Sequence, residues 1–196
     1  MQNSRLFRVP LLAKIATIFF GVTLSSAVLA NDAPQVSIKT SMGEIVVELN
    51  QEKAPLTVAN FLTYVKSGYY KGTIFHRVID GFMIQGGGMD KNLVQKRPNK
   101  PVKNEAKNGL LNEPYTISMA RTPNPDSATS QFFINVVHNT MLDYPNGDGF
   151  GYTVFGKVVQ GQDVVDKIKG VLVDDTRGNQ NVPVIPIEIK SATLVK

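Results

Sequence analysis

The segment FHRVIDGFMIQGG, residues 75–87, decides how the rest of the chain is interpreted. Two short runs within and beside it, residues 74–79 and 82–85, are rich in β-branched and aromatic side chains, and an Asp-Gly pair separates them. This composition predicts two β-strands. The glycine triplet at 86–88 lacks the spacing of a nucleotide-binding loop and has no helix after it, so we interpret it as a turn at a strand end.

The strand pattern predicts which side chains around Arg77 can be buried together. Successive side chains point to opposite faces of a strand, so Arg77 faces away from His76 and Val78. Only one of these two sets can be buried. Taken alone, Arg77 is most simply a surface charge, and His76 a hydrogen-bonded structural histidine rather than a catalyst.

Similar strand-like runs occur on both sides of the segment. Residues 36–40 and 44–49 alternate between apolar and polar side chains around a Ser-Met-Gly turn and predict a β-hairpin. The remaining short runs are separated by Gly, Pro, Asn or Asp and cover residues 115–120, 131–136, 153–159 and 185–190. The chain therefore has eight predicted strands.

Two helices are predicted at separate places in the chain. Pro55 occupies a favoured first-turn position, and apolar residues with the spacing of one helix face follow it until Gly68. A second helix is predicted over residues 162–168, with its apolar residues facing inward. Because these helices do not alternate with strands, a parallel α/β sheet is disfavoured. We predict a mainly β fold: a closed eight-stranded antiparallel β-barrel capped by two α-helices.

Composition excludes several classes of function. The chain has 196 residues, no cysteine and two histidines, so disulfides, thiol catalysis, zinc–thiolate sites and iron–sulfur clusters are ruled out and a histidine-rich metal site is disfavoured. The net charge is +5, but the first thirty residues carry three basic groups and no acid. The remainder has 18 basic and 16 acidic residues without a long basic run, so we expect no nucleic-acid partner.

The N-terminal thirty residues have the three-part order of a secretory signal peptide. Residues 1–14 are polar and basic, and residues 15–30 are uncharged and end in small residues, with Val28 and Ala30 suited to cleavage before Asn31. The alternative is a transmembrane anchor, but the uncharged run is shorter than the roughly 20 residues needed to span a bilayer. We expect a signal peptide at 1–30, no stable membrane insertion, and a single mature domain at 31–196.

Three segments together resemble the cyclophilin family of peptidyl-prolyl cis-trans isomerases. They are residues 75–87, then SMAR at 118–121 followed by QFFI at 131–134, and then MLD at 141–143 followed by YTVFGKV at 152–158. The likeness covers nearly all of 36–195 and is closest to exported bacterial members, which implies a periplasmic location. It also implies an eight-stranded antiparallel barrel with a helix at each end, in agreement with the strand count above.

The resemblance implies a set of site residues. The family's catalytic arginine falls on Arg77, with Phe82 and Gln85 in the same catalytic set. Substrate-binding positions fall on Met83, Ala120, Arg121, Gln131, Phe133, Met141, Leu142 and Tyr152. The proline pocket is implied at Phe82 together with Met83, Phe133 and Leu142, the polar wall at the two glutamines, and the hold on the substrate backbone at Ala120 and Arg121. Without the resemblance, core packing is the simpler explanation of the apolar members.

The chain departs from the family pattern at three positions. Asp80 stands where the family often has proline, Met141 where it often has tryptophan, and Tyr152 where it often has histidine. The first is a turn position with little expected effect. The other two change the shape of the pocket, so we expect only weak binding of cyclosporin-type cyclic peptides.

The resemblance implies isomerisation of Xaa–Pro bonds in unfolded or flexible polypeptides, assisting the folding of exported proteins. This chemistry breaks no covalent bond, so we expect no cofactor and no metal, and we expect a monomer. One alternative is a module that binds proline-containing segments, or a holdase chaperone, with little catalysis. A third interpretation is a lipocalin-type barrel, which would have an empty lumen. A fourth is a glycosidase with a catalytic pair of carboxylates, but no sequence feature supports it. The simultaneous presence of Arg77, Phe82 and Phe133 favours the enzyme.

Overall fold

A computed structural model describes residues 33–195, so the predicted signal peptide lies outside the described residues. Eight strands close an antiparallel barrel, which confirms the predicted fold. Their bounds are β1 Gln35–Thr40, β2 Gly43–Leu49, β3 Thr73–Ile79, β4 Met83–Asp90, β5 Thr116–Met119, β6 Phe132–Asn135, β7 Val154–Gln160 and β10 Ile187–Leu194. Around the barrel they follow the order β1-β10-β3-β4-β6-β5-β7-β2.

A second, two-stranded sheet was not predicted. It pairs β8, Val173–Thr176, with β9, Asn179–Pro183. Every residue of β8 is exposed, including Asp174 and Asp175, so this strand lacks the apolar alternation from which a strand is recognised in sequence.

The barrel interior is filled by apolar side chains. The register places Val78, Ile84, Ile134 and Ile117 side by side across β3, β4, β6 and β5, and each is at most 1 % exposed. They belong to one buried cluster that also contains the aromatic rings of Phe61, Tyr70, Phe75, Phe132 and Phe155. A packed interior of this kind does not have the empty lumen that a lipocalin-type barrel requires.

Two helices flank the barrel, as predicted. Helix α1 spans Pro55–Lys66 and α2 spans Gln162–Lys169. In α1 the predicted inward residues Val58, Phe61 and Val65 are buried, whereas Leu62 is half-buried. In α2 the buried residues are Val164, Val165 and Ile168, as expected.

Helix α1 obtains its N-terminal cap from a distant part of the chain. Ala54 precedes the helix and offers no capping side chain. Instead the Glu105 carboxylate accepts hydrogen bonds from the backbone N–H groups of Leu56 and Thr57, at 3.0 and 2.8 Å, and from the Thr57 hydroxyl at 2.7 Å. A carboxylate at this position satisfies otherwise unpaired N–H groups and interacts favourably with the helix dipole.

The glycine triplet lies inside β4, so its interpretation as a strand-end turn was wrong. A Cβ on Gly86 would lie 3.0 Å from the Ile74 carbonyl oxygen, and one on Gly88 only 2.3 Å from Cγ of Gln131. Gly87 has a φ of 81°, which favours glycine, and the β3–β4 register shifts nearby. The glycines therefore permit close approach of neighbouring groups to the strand. Within residues 33–195, no helix is long and apolar enough to cross a membrane.

Candidate functional site

The strand register places Arg77, Gln85 and Phe133 in one row. Arg77 on β3 is opposite Gln85 on β4, and Gln85 is opposite Phe133 on β6. Directly opposite residues share a face of the sheet, and their sequence neighbours Val78, Ile84 and Ile134 point into the core. The row therefore lies on the outer face of the barrel, where Arg77 is half-buried.

The Arg77 guanidinium carries no internal partner within residues 33–195: it makes no ion pair and no hydrogen bond there. Beside it, the Gln85 Nε2 donates a 2.9 Å hydrogen bond to Oε1 of Gln131, which fixes both amides. A permanently charged group with several N–H donors is thus held next to an ordered polar wall, with its donors available to a bound molecule.

The predicted pocket residues are buried to different degrees on this outer face. Met83 and Phe133 are 2 % and 3 % exposed, yet neither belongs to the cluster that fills the barrel. Phe82 and Leu142 are half-buried. Met141 is 68 % exposed, as expected for a residue at a pocket rim. Core packing of the barrel therefore does not account for Met83 and Phe133.

Tyr152 closes one side of this apolar group. Its ring meets the Phe133 ring edge-on, with centroids 5.8 Å apart. Its backbone N–H donates a 2.8 Å hydrogen bond to the Leu142 carbonyl oxygen, so these three predicted site residues are adjacent.

Arg121 stacks on Tyr152, and its guanidinium is surrounded by other groups of the protein. Its side chain is only 2 % exposed, and its guanidinium carbon lies 4.2 Å from the Tyr152 ring centroid. It donates hydrogen bonds to the Gly151 and Thr122 carbonyls and to Asp148. The guanidinium is therefore occupied by the protein itself, and only backbone groups at Ala120 and Arg121 are left for the predicted hold on a substrate chain.

A buried polar network beneath Phe82 was not anticipated. Asn139 Nδ2 donates to the Phe82 carbonyl oxygen at 2.8 Å and to Asn135 Oδ1 at 2.6 Å. Asn112 donates both its backbone N–H and its side-chain amide to Asp143 Oδ1. Asn112 is 23 residues from Asn135, and none of the three asparagines lies in a quoted motif, so no sequence signal singled them out.

His76 is buried, as the prediction of a structural histidine requires. It is 5 % exposed, and its Nδ1 has no partner within the described part of the chain. Burial lowers the pKa of His76 to about 4, and the nearby charge of Arg77 adds to this effect. The imidazole is therefore neutral near pH 7. His138, by contrast, has a 43 % exposed side chain, with Nε2 3.3 Å from Asp143 Oδ2.

An apolar groove of about 460 Å³ lies elsewhere on the barrel, between the β1–β2 turn and the chain before β10. It is lined mainly by Met42, Val171, Leu172, Val184 and Ile185. None of the predicted site residues lines it.

Comparisons with known proteins agree with this architecture. A family model described as cyclophilin type peptidyl-prolyl cis-trans isomerase/CLD matches residues 35–194. Peptidyl-prolyl cis-trans isomerase A of Dickeya dadantii is 53 % identical over 186 residues, covering 95 % of this chain and 97 % of that protein. Peptidyl-prolyl cis-trans isomerase B of Escherichia coli is 52 % identical over 161 residues, covering 81 % and 98 %.

Solved structures show the same fold. A Cryptosporidium parvum cyclophilin-type peptidyl-prolyl cis-trans isomerase, crystallised in the presence of the dipeptide Ala-Pro, has a TM-score of 0.69 and 28 % identity. The match covers 83 % of this chain and 99 % of that one.

The low pKa of His76 predicts a specific pH dependence of stability. Between pH 4 and about 6.5 the unfolded chain binds a proton on this histidine while the folded chain does not, so the free energy of unfolding rises with pH. The shift corresponds to about 3 kcal/mol, lost as the pH falls from 7 to 4. Urea denaturation at several pH values should show a shallower dependence for His76→Gln than for the wild type.

His138→Gln is measured alongside, because His138 is the other histidine of the chain and is exposed. If the stability of His76→Gln depended on pH as steeply as that of the wild type, the buried histidine would not have the low pKa.

Proposed function

The chain belongs to the cyclophilin-type peptidyl-prolyl cis-trans isomerases, and we propose that Arg77 is the residue that accelerates this isomerisation. The single observation that carries the assignment is a half-buried guanidinium without an internal partner within residues 33–195, beside the Gln85–Gln131 pair and in one row with Phe133. A charged donor in this setting can be directed at a bound peptide.

The reaction requires only that a twisted amide be stabilised. The barrier to rotation is roughly 18–20 kcal/mol because the resonance of the peptide bond must be broken. In the twisted state the proline nitrogen becomes pyramidal and regains its lone pair. A donor aimed at that nitrogen interacts with the transition state more strongly than with the planar ground state, which is the condition for catalysis. Arg77 supplies such a donor.

The remaining site residues hold the substrate while the bond rotates. Phe82, Met83, Phe133 and Leu142 form the apolar side that receives the proline ring, and Gln85 together with backbone groups at Ala120 holds the chain. A rate increase of ~10⁵ requires about 7 kcal/mol, of which one charge-assisted hydrogen bond supplies roughly 1.5–3 kcal/mol. Positioning in a pocket that excludes water supplies the rest.

The natural substrates are proline-containing segments of flexible or unfolded polypeptides. The Ala-Pro dipeptide named for the Cryptosporidium relative supports this class of ligand. A module that binds such segments with little catalysis, such as a holdase, would use the same pocket but would not need Arg77. The effect of Arg77 on turnover therefore distinguishes the two functions.

Arg77→Ala should lower kcat by ~10²–10³ because it removes a donor already directed at the reacting amide. The fold should persist, since Arg77 lies on the outer face of the barrel. Arg77→Lys should restore little activity, because an ammonium does not reproduce the planar fork of donors. A coupled proline-isomerisation assay measures these changes, with Arg97→Ala as an exposed-arginine control expected to retain wild-type turnover. Wild-type turnover in a folded Arg77→Ala protein would contradict the assignment.

We propose in addition that the enzyme acts after export, in the periplasm, as a soluble chain beginning at Asn31. The support is the basic start, the short uncharged run and the Val28/Ala30 pair. N-terminal sequencing of the protein recovered from a periplasmic fraction should read Asn31 first. A chain recovered with residues 1–30 intact would refute cleavage.

Met141 sets the response to cyclosporin-type cyclic peptides. Where relatives carry tryptophan, an indole offers a rigid face and an N–H donor that a thioether lacks. Losing that hydrogen bond and the aromatic contact costs roughly 1 kcal/mol each, so affinity should be about 10- to 100-fold weaker than in a tryptophan-bearing relative.

Met141→Trp should therefore tighten the inhibitor by a similar factor while leaving turnover on a short Xaa–Pro peptide within a few-fold. Calorimetric titration of both proteins under the same conditions tests this. Equal affinities would assign the weak binding to other positions, such as Tyr152.

A further inference from the structure

The structure assigns Arg121 a positioning role: it fixes the Tyr152 ring against Phe133, and so shapes the substrate pocket without touching the substrate. This inference rests on the isomerase site proposed above and specifies how one side of that site is built. It adds a role for the Arg121 side chain to the hold on the substrate that the resemblance implies for the backbone at Ala120 and Arg121.

The hydrogen bonds of Arg121 all lead to the chain just before Tyr152 or to its own neighbour. Nε and Nη2 donate to the Gly151 carbonyl oxygen at 3.1 and 3.0 Å, Nη2 donates to Asp148 Oδ2 at 2.6 Å, and Nη1 donates to the Thr122 carbonyl oxygen at 3.0 Å. A planar guanidinium bonded along its edges leaves its face available, and that face stacks on Tyr152 at 4.2 Å. The ring therefore contacts both Arg121 and Phe133.

The loop that carries Asp148 is held at both ends. At its start, Asp143 accepts hydrogen bonds from Asn112, and at its end the Gly151 carbonyl also accepts a 3.0 Å hydrogen bond from Asn104 Nδ2. Between them the loop is exposed, including Asp148, whose pKa is lowered below its ordinary value chiefly by the hydrogen bond from Arg121. Arg121 thus connects the exposed loop, through Asp148, with the contact between the Tyr152 and Phe133 rings.

Gly151 shows that this geometry is closely packed. Its φ is 69°, and a Cβ at this position would lie 2.7 Å from the Tyr144 backbone nitrogen. The Gly151 carbonyl is therefore held by hydrogen bonds from Arg121 and Asn104, and its residue is packed against the Tyr144 backbone. Because Tyr152 follows directly, its backbone position is set by the same contacts.

The expected kinetic consequence is a change in KM rather than kcat. Arg121→Lys keeps the charge but loses the fork, so the Tyr152 ring and the pocket side it forms should become less ordered. We expect KM for an Ala-Pro-containing peptide to rise by about five- to tenfold, with kcat within about twofold, because Arg77 on β3 is unchanged. Arg97→Lys, the same substitution at an exposed arginine, should have no effect.

A double-mutant cycle with Tyr152→Leu separates positioning from direct contact. If Arg121 acts through the ring, Arg121→Lys should raise KM in the wild-type background but add nothing in the Tyr152→Leu background. NOEs between the Tyr152 and Phe133 rings should weaken in Arg121→Lys. Effects on KM that multiply, or a wild-type KM in Arg121→Lys, would overturn the proposal.

Two further measurements keep the test decisive. If Arg121→Lys does not fold, Asp148→Asn replaces it in the cycle, since Asp148 is exposed. Asp148→Asn should raise KM by about two- to threefold in the wild-type background and leave it unchanged in the Tyr152→Leu background. Wild type and Arg77→Ala are assayed in the same series. Loss of Arg77 dependence would refute the proposed catalytic role, whereas an intact Arg77 dependence with a multiplicative Arg121 effect would refute only the positioning role.

Discussion

The alternation of side chains across four neighbouring strands is the constraint on which the site depends. In β3, β4, β6 and β5, one set of paired residues fills the barrel and the residues between them lie outside. The buried set fixes the register, because a slip of one residue would turn the apolar side chains outward. Arg77, Gln85 and Phe133 are therefore aligned by the packing of Val78, Ile84 and Ile134 behind them. The position of this row is therefore set by the packing of the core.

Polar contacts from distant parts of the chain also help to position the site residues. Asn139 holds the Phe82 carbonyl, Gln131 holds Gln85, and Arg121 holds the segment before Tyr152. Each contact joins a site residue to an element that is not its neighbour in sequence. Enzymes need this second set of contacts because misplacement of binding groups by about 1 Å can reduce rates by about 10²-fold.

The sequence predicted the elements whose signals are local. Alternating strands and a proline at a helix start were sufficient for the barrel and both helices, whereas the site residues were implied only by the resemblance of the strings around Arg77 to a known family. The sequence did not predict features that depend on a partner far along the chain: Glu105 capping a helix 48 residues earlier, or Gly88 of β4 making room for Gln131. The hydrogen bonds of Arg121 were not predicted for the same reason, since an arginine in a motif does not reveal which carbonyls its guanidinium will meet.

The central claim is that Arg77 stabilises the twisted amide more than it stabilises the bound planar forms. Exchange NMR on an Ala-Pro-containing peptide measures both quantities, since it gives the affinity of the cis and trans forms and their interconversion rate on the enzyme. In Arg77→Ala, we predict that both affinities stay within a few-fold of the wild type while on-enzyme exchange slows by ~10² or more. Affinity falling in parallel with the exchange rate, or exchange at the wild-type rate, would contradict this account.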